Sequence, residues 1–335
     1  MAPQSRFLPM RGLLMHFSIS ACSRSTALLV LLLPCAVQAH GLPAFKAVTT
    51  DDGVWVQEGD TKVLFYQRRL KSKDGKLARA NYVHPLLDLD GEPLTEDFPA
   101  DHLHHRGVFW AWHQVTIGGK AVGDPWALKD CGWDIRDVKA ESSDSAMSVH
   151  TEVYWLSPLW LDEKRNQRPF VREQAIIKVH RAEKERRVVD FEIGLTALQP
   201  ETRIGGAAPT PGYGGFSPRL RLPKDVRFLG PKGEVKPLAG PVDAAAWIDV
   251  GGTFANDRLS GVAILTHPAT PGFPQPWILR SRGSMQNPVY PGATPVALPT
   301  EKPLVLRYRL VIHRKAAQVD QIDRWHQEYA QVGKR

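Results

Sequence analysis

Cysteine is scarce in this sequence. The 335 residues contain three cysteines, and two of them, Cys22 and Cys35, lie in an N-terminal stretch that we predict to be removed. The remaining Cys131 cannot form a disulfide within one chain, so the fold must be held together by its apolar core. The roughly 296 residues after position 39 (335 minus 39) are enough to build a large core.

A long apolar run and a strong basic patch are also missing. No run of about 20 apolar residues follows residue 40, so we expect no membrane-spanning helix in the mature chain. The formal net charge is +8, and it falls to +5 if Arg6, Arg11 and Arg24 are removed with the N-terminal stretch. Because this mild charge forms no basic stripe, we expect no nucleic-acid partner.

The N-terminal stretch itself has the features of a signal peptide. Positive charge precedes an apolar run, Thr26–Pro34, that is too short to span a membrane, and Val37–Ala39 fits the small-residue cleavage rule. We therefore predict that residues 1–39 are a signal peptide. The mature chain would begin at His40 and be exported to the periplasm or the extracellular medium. A retained membrane anchor and lipoprotein processing are the alternatives.

Several signature motifs of enzymes are absent. The sequence has no phosphate loop of the Gly-x-x-x-x-Gly-Lys type, no dinucleotide fingerprint, no paired Cys-x-x-Cys, no His-Glu-x-x-His and no Gly-x-Ser-x-Gly. The usual nucleotide-dependent enzymes, zinc proteases and serine hydrolases are therefore not indicated. Any catalysis must use groups that these motifs do not describe.

After residue 40 the chain has the frequent turn residues that are typical of an all-β protein. The whole sequence contains 27 glycines and 27 prolines, with alternating apolar and polar stretches between them. We predict one large antiparallel β-sandwich domain over residues 40–335, with a short helix at 316–332. The predicted strands and hairpins are Val54–Tyr66, Asn81–Asp88, Ser148–Trp155, Phe170–His180, Arg187–Ala197, Leu220–Leu222, Ala246–Val250, Ser260–His267, Trp277–Ser281 and Pro303–His313.

One window of 18 residues, 96–113, is unusually dense in reactive side chains, with four of the 12 histidines. His102 and His104 are two apart, so in an extended segment both face one side and His105 faces the other. Imidazole titrates near neutral pH, and a neighbouring carboxylate tunes it, so the window favours acid–base chemistry. The candidate catalytic residues are His102, His104, His105, Asp97 and Asp101.

Other interpretations of this cluster remain open. A His-x-His pair on a strand can chelate a metal with a carboxylate as third ligand, so His102 and His104 are also candidate metal ligands. The histidines could instead only cap turns and bond to the backbone. As a mature N-terminal residue, His40 could chelate copper through its amine and its ring. The sequence therefore predicts either no cofactor or one divalent metal.

Candidate substrate-binding residues lie inside the window and beyond it. Arg106 offers a planar fork for a carboxylate or a diol, with a salt bridge to Asp97 or Asp101 as the alternative. Trp110 and Trp112 share one face of a strand, and we assign one to the core and Trp112 to stacking on a sugar. Each of the remaining candidates has a purely structural role as its alternative. They are His267, Arg280 and Tyr213.

Short motifs follow one another along the chain in a characteristic order. They are Asp97-Phe-Pro-Ala-Asp-His102, His104-His-Arg-Gly107, Tyr213-Gly-Gly-Phe216, Trp247-Ile-Asp249, Gly261-Val-Ala-Ile264 with His267-Pro268, Pro276-Trp277 with Arg280, Asn287-Pro288 and Leu306–His313. Together, over about residues 50–315, the chain resembles the bacterial domain family DUF6807, whose members are often labelled methane oxygenase PmoA.

This resemblance implies a protein of unknown function that is frequently exported, from bacteria rich in polysaccharide-degradation genes. It also implies a β-sandwich similar to the sugar-binding supersandwich of mutarotases. The methane-oxidising subunit that shares the label is an integral membrane protein. Its chemistry is not expected of a mature chain without a membrane-spanning segment.

We therefore predict an exported carbohydrate-active protein, acting on a sugar or glycoside by His/Asp acid–base chemistry as a hydrolase, lyase or epimerase. Its partner would be a small-molecule or oligosaccharide substrate. A non-catalytic glycan-binding sandwich and a metal-dependent oxidoreductase, with copper as one option, are the alternatives. The identity of the substrate is not encoded in any local pattern of the sequence.

Overall fold

A computed structural model describes Met15, His16, Ser18 and the ranges 43–254 and 257–333. Apart from those three positions, the predicted signal peptide, residues 1–39, lies outside the described residues, and so does His40. The description of the fold below concerns the residues from Pro43 onward, which belong to one compact unit.

The larger of two main sheets has nine antiparallel strands. Buried side chains alternate with less buried ones along its long strands, which is the pattern of a sheet with one covered face. In order across the sheet, the strands are β10 (Gly132–Ser142), β11 (Ala146–Leu156), β12 (Val171–His180), β13 (Arg186–Ala197), β23 (Leu304–Arg314), β19 (Leu259–Thr266), β18 (Trp247–Thr253), β16 (Arg227–Gly230) and β17 (Gly233–Glu234).

The second main sheet has six antiparallel strands, most of them from the first half of the chain. In order they are β1 (Phe45–Thr49), β2 (Gly53–Glu58), β3 (Thr61–Gln67), β6 (Tyr82–Leu86), β7 (Val108–Ala111) and β15 (Gly215–Pro218). Three small sheets complete the β-structure: β22 (Val296–Ala297), β14 (Thr202–Gly205), β8 (Gln114–Ile117) and β9 (Lys120–Gly123) in one, β20 (Trp277–Ile278) with β21 (Asn287–Pro288), and β4 (Lys71–Lys73) with β5 (Lys76–Arg79).

The two main sheets face each other across one apolar core. Phe216 of the six-stranded sheet stacks on Tyr308 of the nine-stranded sheet, with ring centroids 4.4 Å apart, and lies 5.1 Å from Phe191. Trp110 approaches Phe191 from the same side at 6.5 Å. These contacts confirm the predicted antiparallel β-sandwich, in which apolar burial between the sheets is the main stabilising term.

Helix α1 (Val319–Tyr329) covers part of the outer face of the larger sheet. Ile322, Trp325 and Tyr329 are its buried residues, and their spacing of three and four places them on one helical face. They pack against apolar side chains of the sheet, including Val311. The predicted C-terminal helix is confirmed, and within the described ranges no helix has the length and apolar character needed to cross a bilayer.

Most predicted strands are confirmed, and two differ from the prediction. Leu220–Leu222 forms only an isolated bridge from Leu220 to Thr95, because Pro223 follows and cannot donate to a ladder. The predicted strand Trp277–Ser281 ends at Ile278. Beyond that point the amide of Arg280 bonds to a glutamine side chain instead of a neighbouring strand.

Candidate functional site

The candidate site lies on the outer face of the six-stranded sheet, next to β7. Trp110 of this strand points into the core between the sheets, whereas Phe109 and Ala111 belong to a second apolar cluster on the other face. Phe109 lies 5.8 Å from the ring of His105 and 5.3 Å from that of Trp126. The outward side chains of β7 therefore anchor the histidine cluster.

The histidines are carried by a loop, residues 97–106, whose two ends are fastened together. Asp97 and Arg106 form an isolated β-bridge, and the Arg106 guanidinium donates a hydrogen bond to the Asp97 carboxylate. It also donates to the Tyr82 hydroxyl at 2.8 Å and to the carbonyl of Leu77 at 3.1 Å. Arg106 is fully buried. Arg106 therefore holds the two ends of the loop together, which corrects the prediction that it binds substrate.

The Asp97 carboxylate also serves to hold the ends of the loop together. Lys71 donates to its carboxylate at 2.7 Å, in addition to the bond from Arg106, and only 6% of the Asp97 side chain is exposed. Burial alone would raise the pKa of Asp97, but the hydrogen bond from Lys71 and the charge of Arg106 outweigh it and lower this pKa. An ionised, saturated carboxylate has no capacity left for proton transfer, which corrects its prediction as a catalytic residue.

The residue after Arg106, Gly107, must be a glycine. Its φ is +53°, and a Cβ at this position would lie 2.0 Å from the carbonyl oxygen of Val83. The close approach lets the chain turn from the loop directly into β7 beside β6. Gly107 therefore positions the loop relative to β7.

The three loop imidazoles form one group. His102 stacks on His105 with ring centroids 4.7 Å apart and an interplanar angle of 3°. His104 meets His105 edge-on at 4.5 Å and lies 5.7 Å from His102. The period-two expectation is wrong here, because the segment is a turn: the amide of His102 bonds to the carbonyl of Pro99, and that of His105 bonds to the carbonyl of His102.

His102 and Asp101 form an accessible imidazole–carboxylate pair. The Nδ1 atom of His102 lies 2.7 Å from Asp101 Oδ2, and 43% of the His102 side chain is exposed. Arg219 donates two hydrogen bonds of 2.6 and 2.9 Å to the same carboxylate, and the amide of Ser284 donates a third at 2.9 Å. Asp101 is therefore fixed in place by residues far away in sequence and can orient the ring of His102.

The other two loop histidines are neutral. The pKa of His104 is lowered to about 4, chiefly because burial disfavours the charged ring and further because His102 and Arg79 add positive charge. The same burial effect lowers the pKa of His105 to about 2, and this ring is only 2% exposed. His105 therefore supports the cluster from beneath and does not face a ligand, contrary to its prediction as a catalytic residue.

The charge of Asp101 is also fixed by its surroundings. Partial burial would raise its pKa, but hydrogen bonds from His102 and Arg219 outweigh that effect and hold the pKa below its usual range. The lowered pKa favours the ionised form of Asp101. Its role is to orient and stabilise the ring, because its oxygens are occupied by donors.

A second imidazole–carboxylate pair adjoins the cluster and was not predicted. Nδ1 of His113 lies 2.9 Å from Asp124, and the two rings beside His113 are Trp126 at 5.4 Å and Tyr213 at 5.2 Å. Tyr213, a predicted binding residue, is half-buried and packs on Trp126 at 5.0 Å. Trp126 in turn contacts His105 at 5.8 Å, so the loop and this pair form one continuous group.

A signal for this second pair was present in the sequence. Gly118-Gly119 is a two-residue hairpin turn, and it joins β8 to β9 with Ile117 opposite Lys120. Positions 113 and 124 stand symmetrically about that turn. The ladder shifts register between Val115 and Thr116, so that Val115 lies opposite Gly123, and the turn alone would have predicted only that residues 113 and 124 lie near each other.

Trp112 belongs to the core and not to the site. Its side chain is fully buried, its Nε1 donates to the carbonyl of Tyr290 at 2.9 Å, and its ring lies 5.6 Å from that of Trp155. The prediction that Trp110 and Trp112 share one face is confirmed. The assignment of Trp112 to sugar stacking is wrong, since no part of its ring reaches the surface.

His267 and Arg280 are not brought to the cluster either. His267 packs against Tyr329 of the C-terminal helix, with ring centroids 5.0 Å apart, on the outer side of the larger sheet. The guanidinium of Arg280 donates to the backbone carbonyls of Leu238 and Ala239, each at 3.0 Å. Both side chains therefore hold neighbouring segments together, which corrects their prediction as substrate-binding residues.

The two candidate metal ligands do not acquire a third one. Within the described ranges, no group of three or more histidine, cysteine, aspartate or glutamate side chains is arranged to hold a metal ion. The carboxylate nearest to His102 is already bonded to Arg219. Of the predicted ligands, His40 lies outside the described residues.

Fold and site together define an antiparallel β-sandwich protein with an imidazole–carboxylate cluster on the outer face of its smaller main sheet. The chain belongs to DUF6807, a family of unknown function, whose model matches residues 53–327. This confirms the predicted resemblance and slightly extends it at the C-terminus.

Two further comparisons complete the picture. No curated protein matches the sequence. Among solved structures, the chain is similar to a candidate mutarotase, YeaD, from Salmonella typhimurium, with 10% identity and a TM-score of 0.34. The similarity covers 81% of this chain and 94% of the other.

Proposed function

We propose that this protein is a carbohydrate-active enzyme that transfers a proton at a sugar, with His102 as the acid–base group. The observation that carries the proposal is the His102–Asp101 pair, in which a fixed carboxylate holds one nitrogen of an accessible imidazole. Histidine is the side chain that most often acts as a general acid or base in enzymes, and a hydrogen bond to one ring nitrogen orients the other.

Asp101 determines which nitrogen of His102 reacts. Because the ionised carboxylate accepts the proton on Nδ1, the neutral ring carries its lone pair on Nε2. Among the described residues, Nε2 of His102 has no hydrogen-bond partner. It can therefore take a proton from a sugar hydroxyl or carbon and later return it, while the Asp101 carboxylate stabilises the imidazolium in between.

His104 supplies a second, uncharged polar group next to His102. Its lowered pKa of about 4 keeps the ring neutral at physiological pH, so it can donate or accept a hydrogen bond without adding charge. Its ring centroid is 5.7 Å from that of His102. A hydroxyl or developing oxyanion placed between these rings would contact both.

A sugar is supported as the substrate by the aromatic surface beside the cluster. Tyr213 is half-buried against Trp126 and His113, so part of its ring remains available. Aromatic rings pack well against the apolar C–H faces of sugars while polar groups nearby bond to hydroxyls. The combination of such a ring with neutral and carboxylate-paired imidazoles favours a carbohydrate over a purely apolar ligand.

The test is a search for turnover with the purified mature chain. Hexoses, glycosides and oxidised sugars are incubated in D2O, and products or incorporated deuterium are followed by NMR and mass spectrometry. We expect turnover of at least one sugar class, and a loss of about 10²- to 10⁴-fold in His102→Gln, as for removal of a general acid–base group. His150→Gln is the matched control, because His150 is a partly exposed histidine on β11 whose ring pairs with Glu141 at 3.6 Å.

Two outcomes would contradict the proposal. Sugars that bind but are never converted would favour the non-catalytic glycan-binding protein. Turnover that His102→Gln and His150→Gln reduce equally would remove His102 from the chemistry. Far-ultraviolet circular dichroism and thermal unfolding of both variants would ensure that the fold is retained.

A further inference from the structure

A large pocket adjoins Asp101 of the His102–Asp101 pair, and no aromatic residue among those the structure describes lines it. It has a volume of about 850 Å³ and is lined in part by Asp101 itself. Small-molecule sites commonly occupy about 300–1,000 Å³, so this pocket has room for a sugar. Asp101 is both a wall of the pocket and the partner of His102, so a ligand there lies next to the carboxylate that orients the proposed acid–base group.

The wall of this pocket contains more cationic than acidic side chains, and only some of them are paired. The wall contains two acids, Glu96 and Asp101, and three cations, Arg219, Lys224 and Arg282. Arg219 is buried and binds both acids, at 2.7 Å for Glu96 and 2.6 Å for Asp101. Arg219 therefore offsets one of the two acidic charges, and the five charged groups leave the wall with a net formal charge of +1.

Lys224 and Arg282 are the two cations that remain. Both side chains are exposed, and within the described ranges neither has a hydrogen bond or an ion pair with another residue. They come from separate segments, one after the bridge residue Leu220 and one in the loop before β21, and the pocket brings them together. Uncompensated cations at one pocket create a local positive potential that attracts anions.

The rest of the wall suits the body of a sugar. Leu222, Pro223 and Val226, which are partly exposed, contribute apolar surface. Such surface packs against the C–H groups of a pyranose ring, while the cations contact its substituents. The planar guanidinium of an arginine matches a carboxylate in particular, since it can donate two parallel hydrogen bonds.

We infer that this pocket binds the carboxylate of an acidic sugar, a hexuronic acid, through Lys224 and Arg282. The inference rests on the proposed function in that it names the substrate class of the same site. Arg282 bonds to the carboxylate, Lys224 adds charge, and the ring lies on the apolar wall with its far side toward His102. A neutral hexose lacks the group that these two cations recognise.

The test compares pairs of ligands that differ only in the carboxylate. Dissociation constants of methyl glycosides of hexuronic acids and of the matching hexoses are measured by calorimetry or ligand-observed NMR. We expect a uronide to bind at least about tenfold more tightly than its hexose, and added salt to reduce this preference. Lys224→Ala combined with Arg282→Ala should abolish the preference.

The control removes the same two kinds of charge elsewhere. Arg68→Ala combined with Lys120→Ala changes the net charge equally, at two exposed positions that do not line the pocket. This variant should retain the preference. Sulfated hexoses form a further arm, and a sulfate bound in place of a uronate would overturn the assignment to carboxylates.

The binding measurement needs no turnover, so the two proposals fail separately. Equal affinity for uronide and hexose, or a preference that survives loss of Lys224 and Arg282, would overturn the inference even if a sugar is converted. Uronide binding that depends on both cations would support it. That result would stand even if His102→Gln left turnover intact and the proposed acid–base role failed.

Discussion

Two of the histidine–aspartate pairs in the described residues, one on a loop and one inside the larger sheet, have opposite environments. His102 and Asp101 lie on a loop with 43% and 39% of their side chains exposed. His313 and Asp249 join β23 and β18 within the larger sheet, with 2% and 5% exposed. The bonds are similar in length, 2.7 Å in the loop and 2.9 Å in the sheet.

What distinguishes the pairs is the second nitrogen of the ring. In the sheet, His313 Nε2 bonds to Asp249 while Nδ1 lies 3.1 Å from the carbonyl of Lys315, so both nitrogens donate and the ring is an imidazolium. Burial would lower the pKa of His313, but the charge of Asp249 and these hydrogen bonds raise it. In the loop pair, Nε2 of His102 has no hydrogen-bond partner among the described residues, so it is available to exchange a proton with a substrate.

The largest expected effect is therefore on stability, and it belongs to the buried pair. His313→Gln leaves the Asp249 carboxylate buried without its cation, which should reduce the free energy of unfolding by about 3–5 kcal/mol. His102→Gln should cost less than about 1 kcal/mol, because that pair is exposed and Asp101 keeps Arg219. Urea unfolding of both variants measures the difference.

A double variant sharpens this prediction. Asp249→Asn combined with His313→Gln replaces two charges by neutral hydrogen-bonding groups, so it should be less destabilising than His313→Gln alone. If the double variant is as unstable as the sum of the single ones, the stability of the pair comes from packing and not from charge.

The larger sheet and the histidine loop should also differ in how pH affects stability. The pKa of His313 is raised in the folded state, so its contribution is complete below the unfolded value of about 6.5 and is lost as pH rises through the folded pKa. His104 and His105 have pKa values lowered to about 4 and about 2, so their contributions are present above about 6.5 and are lost as pH falls.

Unfolding measured from pH 4 to 9 tests these opposite signs. The destabilisation caused by His313→Gln should shrink as pH rises above neutrality. A His105→Phe variant, which keeps an aromatic ring in the stack, should lose stability less steeply than the parent as pH falls below 6.5. Parallel pH profiles for the parent and both variants would contradict the assignment of charges in the two regions.

The fold was largely predictable because its long strands carry their own signal. Along β13, Val189, Phe191, Ile193 and Leu195 are buried in alternation, as a strand with one covered face requires. The lateral order of strands was not predictable. β23 lies between β13 and β19, and its pairing of His313 with Arg186 joins residues far apart in the chain.

The site was predictable only where its partners are neighbours in sequence. Asp101 and His102 are adjacent, so their pairing could be expected, whereas Arg219, which fixes Asp101, is 118 residues away. The predicted geometry of the loop is wrong because the segment forms turns and is not extended. Pro99 is the turn signal that the sequence does contain, since proline is a preferred turn residue.

The smallest expected effect concerns a residue that belongs to neither pair. Arg280 donates to backbone carbonyls through both terminal nitrogens, and its bonds are confined to a peripheral segment. Arg280→Ala should therefore lower the free energy of unfolding by only about 1 kcal/mol, the value of ordinary hydrogen bonds, and leave sugar turnover unchanged. Kinetics and urea unfolding of this variant provide the check. A loss of turnover as large as that of His102→Gln would place Arg280 in the site. Exposure of a side chain near His102 would then no longer distinguish catalytic residues from structural ones.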